Sequence, residues 1–241
     1  MRYNKNKEFG RGGIVLEKVQ TATDLFIEHF SFWPHLSTQE KEIINAHSRI
    51  VHYKKGTQVH QGPLDCIGVL LVKHGQLRVY TMSEDGREVT LYRLFPNDVG
   101  ILSASCVFDA VTFDVYIDAA EDTEVLLTDA VAFRKLADEN IYVRCYGYEM
   151  ASNRLSEMLW KMQQVLFLSA DRRLAIFLLE ESNKKNSREI HMTHEEIARF
   201  MGTAREVVSR LVKYFSQEGW VKTSRGCISL TDYDALKELA G

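Results

Sequence analysis

Apolar positions change their spacing three times along the chain. Between Arg49 and Thr128 they come in short runs rich in β-branched and aromatic residues, "RIVHY", "KKGTQV", "CIGVLLVKHGQLRVYTM", "VTLYRLF", "PNDVG", "FDVYIDA" and "TEVLLT", with turn formers such as "SEDGRE" between them. Strands this short, returning at regular intervals, predict an antiparallel β-roll or jelly roll rather than a parallel sheet. Ahead of it, "TDLFIEHFSFWPHLSTQEKEIINAHS" has helical spacing broken at Pro34, with Ser37 placed as a cap, so two short helices are expected. Residues 1–20 are basic and aperiodic and read as a flexible arm.

From Val131 to Leu168 the spacing becomes helical. Ile141, Arg144, Tyr148, Ala151, Leu155, Met158, Met162 and Val165 recur in steps of three and four, a heptad seam interrupted only at Arg144. A helix of about thirty residues, ~45 Å long, is too long to hide within one small domain. Its seam, Tyr148, Ala151, Leu155, Met158, Met162 and Val165, is therefore expected to pack against a second copy. Beyond Ser169 the order is helix ("DRRLAIFLLEES"), strand ("EIHMT"), two helices hinged at Gly202, a hairpin ("WVKT", "CISL") and a last helix capped by Thr231. That order is a winged helix-turn-helix. The expected class is thus α+β: a β-roll over 21–136, a dimerisation helix over 137–168 and a winged helix-turn-helix over 169–241.

Bulk composition bounds the class without naming it. The 241 residues are 45% hydrophobic and 26% charged, as in soluble globular proteins. No apolar run reaches about 18 residues, and the first residues lack the apolar core of a signal peptide, so a cytoplasmic protein without membrane contact is expected. Four scattered cysteines, Cys66, Cys106, Cys145 and Cys227, form neither a disulfide scaffold nor a CxxC site, and no metal site is expected. The net charge of −3 hides an asymmetry: residues 184–226 hold nine Lys/Arg against five Asp/Glu. The positive end is local, as an approach to phosphates requires.

The two hinged helices explain that bias. Thr193 with Glu196, and Thr203 with Glu206, have the spacing of capping boxes at the two helix starts. Ile197, Ala198 and Phe200, then Val208, Leu211, Val212 and Phe215, are expected to face inward. On the opposite side of the second helix Arg205, Ser209, Lys213, Glu206 and Arg210 share an arc of about 140°. Arginine can donate two parallel hydrogen bonds to guanine and glutamate can accept from cytosine, so this face suits the edges of bases in a major groove. Lys213, Arg225 in the wing and the Thr193 hydroxyl suit phosphates, and Thr203 at the start of the second helix is expected in the same DNA-binding set. Glu206 could instead serve only its cap, and Arg/Glu/Arg could be a solvated ion-pair surface.

The stretch T-x-x-E-I-A-x-x-x-G-T-x-R-E-x-V-S-R-x-x-x-x-F (Thr193–Phe215), with the β-roll and long helix before it, resembles the Crp/Fnr family of bacterial transcription regulators over residues 21–241. The resemblance implies a homodimer that binds palindromic double-stranded DNA and works with RNA polymerase. By it, Arg205, Glu206 and Arg210 match base-reading positions of the cyclic-AMP receptor branch, and Glu206, Ser209 and Arg210 match the E-x-x-S-R of the Fnr branch. A two-fold symmetric operator with a TGA-like core in each half-site follows as the expectation.

The same resemblance places a nucleotide site after the sixth strand, where a Gly-Glu pair and an Arg hold ribose and cyclic phosphate. Here Gly100 precedes Ile101 and no Arg lies between Arg93 and Arg134, so cyclic AMP or GMP is not expected, a buried phosphate without a cation being costly. The loop offers Ser103, Ser105, Cys106 and Phe108, which suit a small weakly polar effector or a thiol-based redox event. An iron-sulfur cluster needs more cysteines near the N-terminus; haem, ligated by His, Cys or Met, is a minor alternative settled by an absorption spectrum. An enzyme of cupin type would need a His-x-His pair, and His47, His52, His60 and His74 contain none. An interaction module that binds protein through the winged helix is the remaining alternative, and salt dependence of DNA binding separates the two.

Overall fold

The structure, a computed structural model, describes residues 21–61, 68–84, 86, 88–101 and 115–241, with the backbone of two further short strands. Those strands correct the expected arm: β1 (Lys7–Phe9) pairs antiparallel with β2 (Val15–Glu17), Glu8 opposite Leu16, so extended backbone there finds partners within the same segment. Two short helices follow, α1 (Ala22–His29) and α2 (Thr38–Ala46), joined through a 3-10 turn at Trp33–His35. Ser37 caps α2 as expected, through a reciprocal box with Glu40.

The β-roll is two antiparallel sheets. One has the order β3 (Ser48–Tyr53), β10 (Thr123–Thr128), β5 (Val69–His74), β8 (Val99–Ile101); the other β4 (Gln58–Gln61), β9 (Tyr116–Ala119), β6 (Leu77–Met82), β7 (Glu88–Leu94). Leu70, Val72, Val125 and Leu127 of the first sheet meet Leu77, Val79, Leu94 and Ile117 of the second in a common interior. The alternate residues Val69, Leu71 and Leu126 point the other way, into a layer formed by the aromatics of α1 and the 3-10 turn with Phe133, Leu136 and Tyr146. Burial on both faces is why β5 reads as the unbroken apolar run Val69–Val72. Gly75 turns β5 into β6 at φ +84, where a Cβ would lie 2.3 Å from the Asp122 carbonyl oxygen.

The long helical stretch is not continuous. It divides into α3 (Ala130–Glu139) and α4 (Ile141–Phe167) at Asn140, whose backbone is extended (φ −124, ψ 115) and whose side chain accepts the Tyr142 N–H at 3.0 Å. The expected helix from 137 therefore starts at Ile141. Arg144, the residue that spoils the seam, donates to the Ala137 and Asp138 carbonyls at 2.9 and 2.6 Å, satisfying the end of α3. Val143 and Tyr146 anchor the first turns of α4 in the aromatic layer, and Arg154 donates to the Val99 carbonyl at 2.9 Å.

After α4 come α5 (Ala170–Lys185), β11 (Glu189–Ile190), α6 (His194–Met201), α7 (Arg205–Gln217), β12 (Val221–Ser224), β13 (Cys227–Leu230) and α8 (Tyr233–Ala240). They enclose a second, separate core around Leu174, Leu178, Ile197, Val208, Phe215 and Leu236. Thr231 does not cap α8. Asp232 does, accepting from Ala235 N–H, while the Thr231 hydroxyl closes the hairpin onto the Gly219 carbonyl at 2.7 Å.

Candidate nucleic-acid interface

The turn between α6 and α7 sets the interface. Gly202 ends α6 in the left-handed region (φ +62), a conformation that favours glycine, and its N–H reaches the Ala198 carbonyl. The Thr203 N–H bonds that same carbonyl at 3.0 Å. The chain then needs one more extended residue before helix can start, and that residue is Ala204, not Thr203. The expected Thr203–Glu206 box therefore does not form, because Glu206 falls at the second helical position instead of the third. Thr203 is half-buried in the turn.

Glu206 is thereby released from capping. It is exposed with Arg205, Ser209, Arg210 and Lys213, and none of these five side chains makes a hydrogen bond or ion pair with a described residue. Behind them Val208, Val212 and Phe215 are buried and Leu211 half-buried, as the spacing predicts. The first box does form: the Thr193 hydroxyl accepts from Glu196 N–H at 3.1 Å and donates to the Glu196 carboxylate at 3.0 Å, so this hydroxyl, expected at a phosphate, is already used twice. Arg225 and Lys222 are exposed on the wing. A groove of about 520 Å³ runs between wing and helices, lined by Thr193, His194, Arg205, Ser224 and Cys227 among others.

The remaining face of α6 is occupied by the protein itself. The Arg199 carbonyl accepts from the Thr90 hydroxyl of β7 at 3.0 Å, and Lys55 reaches Glu196 at 3.1 Å. Against the pull of burial, the Thr193 N–H and Lys55 hold the Glu196 carboxyl below its ordinary range. Deeper in the junction Arg93 is paired with Glu181, which is 2% exposed, and its guanidinium lies 4.6 Å from the Phe200 ring centre and 5.4 Å from that of Phe177. Arg78, buried in β6, is held by Glu88 at 2.6 Å and Asp118 at 3.4 Å. Burial pushes the Asp118 carboxyl up, with Arg78 opposing it. Period-2 spacing puts Arg78 and Arg93 off the roll interior, but carries no sign that another domain lies over them.

The expected contact seam of α4 is open toward its end. Tyr148, Leu155, Met162 and Val165 are exposed, and Ala151 and Met158 are half-buried. Leu159 and Leu166, absent from the expected seam, are exposed too and lie within about 40° of Leu155 around the helix. The effector candidates Ser103, Ser105, Cys106 and Phe108 lie outside the described residues.

Comparison with known proteins matches residues 172–239 to the Crp-like helix-turn-helix domain and residues 50–140 to the cyclic nucleotide-binding domain. A solved Crp/Fnr-family transcriptional regulator from Eubacterium rectale is 41% identical, covers 88% of this chain and 99% of its own, and superposes with a TM-score of 0.84. The chain belongs to the Crp/Fnr family. This Crp/Fnr regulator is also 25% identical to the cyclic AMP receptor protein of Thermus thermophilus, over 85% of this chain and 94% of that one. It is 24% identical to the fumarate and nitrate reduction regulatory protein of Vibrio cholerae, over 78% and 77%. The protein is a DNA-binding transcriptional regulator. Crp/Fnr regulators typically act as dimers. Among the described residues no helix is long and apolar enough to cross a membrane.

Proposed function

We propose that this regulator works as a homodimer joined along α4, places one α7 in each of two successive major grooves, and binds a two-fold symmetric operator with a TGA-like core in each half-site. The observation that carries this reading is the exposed face of Arg205, Glu206, Ser209 and Arg210, whose side chains have no partner among the described residues. Arg205 and Arg210 donate to guanine, Glu206 accepts from cytosine, and Ser209 lies between them close to the groove floor. Lys213, Lys222 and Arg225 meet phosphates and set the register.

An effector other than a cyclic nucleotide, acting near Ser103–Phe108, shifts the balance between the winged helix held on β7 and the winged helix released to the operator. The absence of an Arg between Arg93 and Arg134 supports that choice of effector.

Footprinting with Arg210→Ala tests the base-reading role. Discrimination against the altered half-site base pair is expected to fall by about 1–3 kcal/mol, roughly 5- to 150-fold, with non-specific binding little changed. An unchanged sequence preference would overturn the assignment. The phosphate role has its own test. Three cations from each protomer neutralise about six phosphates, so operator affinity should fall about 10³-fold between about 50 and 200 mM salt. Salt-insensitive binding would favour a protein partner for the winged helix.

A further inference from the structure

The wing carries a second set of groups that base and phosphate contacts do not use. β11 pairs with β13 so that Glu189 faces Ser229 and Ile190 faces Ile228. One further step in that register sets His191 across from Cys227. Ile190 and Ile228 are each 2% exposed and belong to the winged-helix core, so alternation sends Glu189, His191 and Cys227 to the opposite face of the sheet. A carboxylate oxygen, an imidazole nitrogen and the Cys227 sulfur there lie within 4.8 Å of one another. Glu189 Oε2 is 3.7 Å from His191 Nε2, and Cys227 is a free thiol.

We propose that Glu189, His191 and Cys227 form a binding site for a zinc-class divalent cation at the base of the wing. Zinc bonds to sulfur at about 2.3 Å and to nitrogen and oxygen at about 2.0–2.2 Å, which sets tetrahedral donors roughly 3.5 Å apart. The donors here need to close by about 1 Å, a movement that the Glu189 and His191 side chains, 63% and 69% exposed, make by rotating. One thiolate, one imidazole and one carboxylate suit zinc or cobalt(II) and disfavour magnesium and calcium, which take oxygen ligands. Three protein ligands leave a fourth position for water, so the ion is exchangeable. Binding releases the Cys227 thiol proton to solvent, leaving the thiolate on the metal.

The location gives the ion a use that rests on the DNA-binding reading above. Cys227 lines the same groove as Arg205, and it follows Arg225 by two residues at the hairpin turn. An ion joining it to His191 ties the wing to the strand that leads into α6, fixing the wing cations relative to α7. The ordering cost of the wing is then met before DNA arrives.

Cobalt(II) titration of the chelator-treated full-length protein tests the site without DNA. A thiolate-to-cobalt charge-transfer band with tetrahedral visible absorption is expected, saturating at a single ion per chain and displaced by zinc but not by magnesium. Cys227→Ser should abolish the band, His191→Ala should weaken binding at least about tenfold, and Cys145→Ser should change nothing; circular dichroism checks that each variant is folded. No thiolate band in the wild type, or the same band in Cys227→Ser, would overturn the site. Operator affinity is read separately: zinc should raise it severalfold in the wild type and not in His191→Ala. An intact cobalt band with zinc-independent affinity would refute the coupling alone, and a protein that binds cobalt but no operator would refute the DNA-binding reading and leave the site standing.

Discussion

Glutamate at both Leu155 and Met162 is expected to leave a folded monomer whose operator affinity has dropped by at least about 10³-fold, toward non-specific binding. Leu155 is 53% and Met162 52% exposed in the single chain, so neither substitution opens a cavity or strands a charge inside the protomer. Folding is therefore spared. Between two copies the picture reverses. Along α4 these positions repeat at the heptad interval with Leu159 and Leu166 beside them, and a self-complementary seam would bring each glutamate close to its counterpart with its carboxylate desolvated. A monomer engages one half-site at a time and forfeits the second set of base contacts. Sedimentation should show the change of mass, far-ultraviolet circular dichroism should be retained, and gel shifts should show the loss. A double variant that remained dimeric would place the interface elsewhere, and a monomer with undiminished operator affinity would remove the two-fold operator.

Glu181→Ala carries the second large effect, and it acts at the junction of the two cores. The pair Arg93–Glu181 is buried on both sides, one Arg93 terminal nitrogen already lacks a hydrogen-bond partner, and Lys184 stands nearby over the Phe95 ring at 4.3 Å. Burial first, then the charge of Arg93, holds the Lys184 ammonium below its ordinary range. Removing the carboxylate leaves two cations facing one another, at a cost of about 3–5 kcal/mol for the stranded charge. The molecule has a cheaper escape than unfolding. Its two cores are separate, so the winged helix can lift from β7 and hydrate Arg93. The expected result is a melt that splits into two transitions, with faster amide exchange in β7 and α6. Arg93→Met added to Glu181→Ala should recover part of the loss, the signature of direct coupling. A single unshifted transition would show that the pair does not hold the domains together.

Where sequence reading succeeded and where it stopped follows from what each residue's neighbours are. The strands of the roll and the inward faces of α6 and α7 were legible because period and turn chemistry are local. Cap positions shifted by one residue at Thr203 and Thr231, because the backbone turns there are fixed by carbonyls several residues away, the Ala198 oxygen in one case and the Gly219 and Trp220 oxygens in the other. The divide at Asn140 was hidden by apolar spacing that runs on through it, although Arg144, out of place in a seam, was its trace. The contact of Arg93 with Glu181 and the gathering of Glu189, His191 and Cys227 depend on which distant segments meet, and no local pattern records that. On α7 the residues were legible, but their freedom was not. The loss of the second capping box is what separates Glu206 as a free acceptor from Glu206 as a cap.

The late position of two inner strands has a consequence for biosynthesis. β9 sits between β4 and β6, and β10 between β3 and β5, so each sheet is completed by a strand made after both of its neighbours. The roll cannot close while the ribosome still holds residue 128, and the earlier strands must wait with unpaired edges. In the segment from Ala170 to Ala240 the same order recurs on a smaller scale, β13 lying between β11 and β12 and closing a span of about forty residues. Slowing translation shortly before β9 and β10 emerge should therefore harm yield of the roll, whereas a pause after β10 should not.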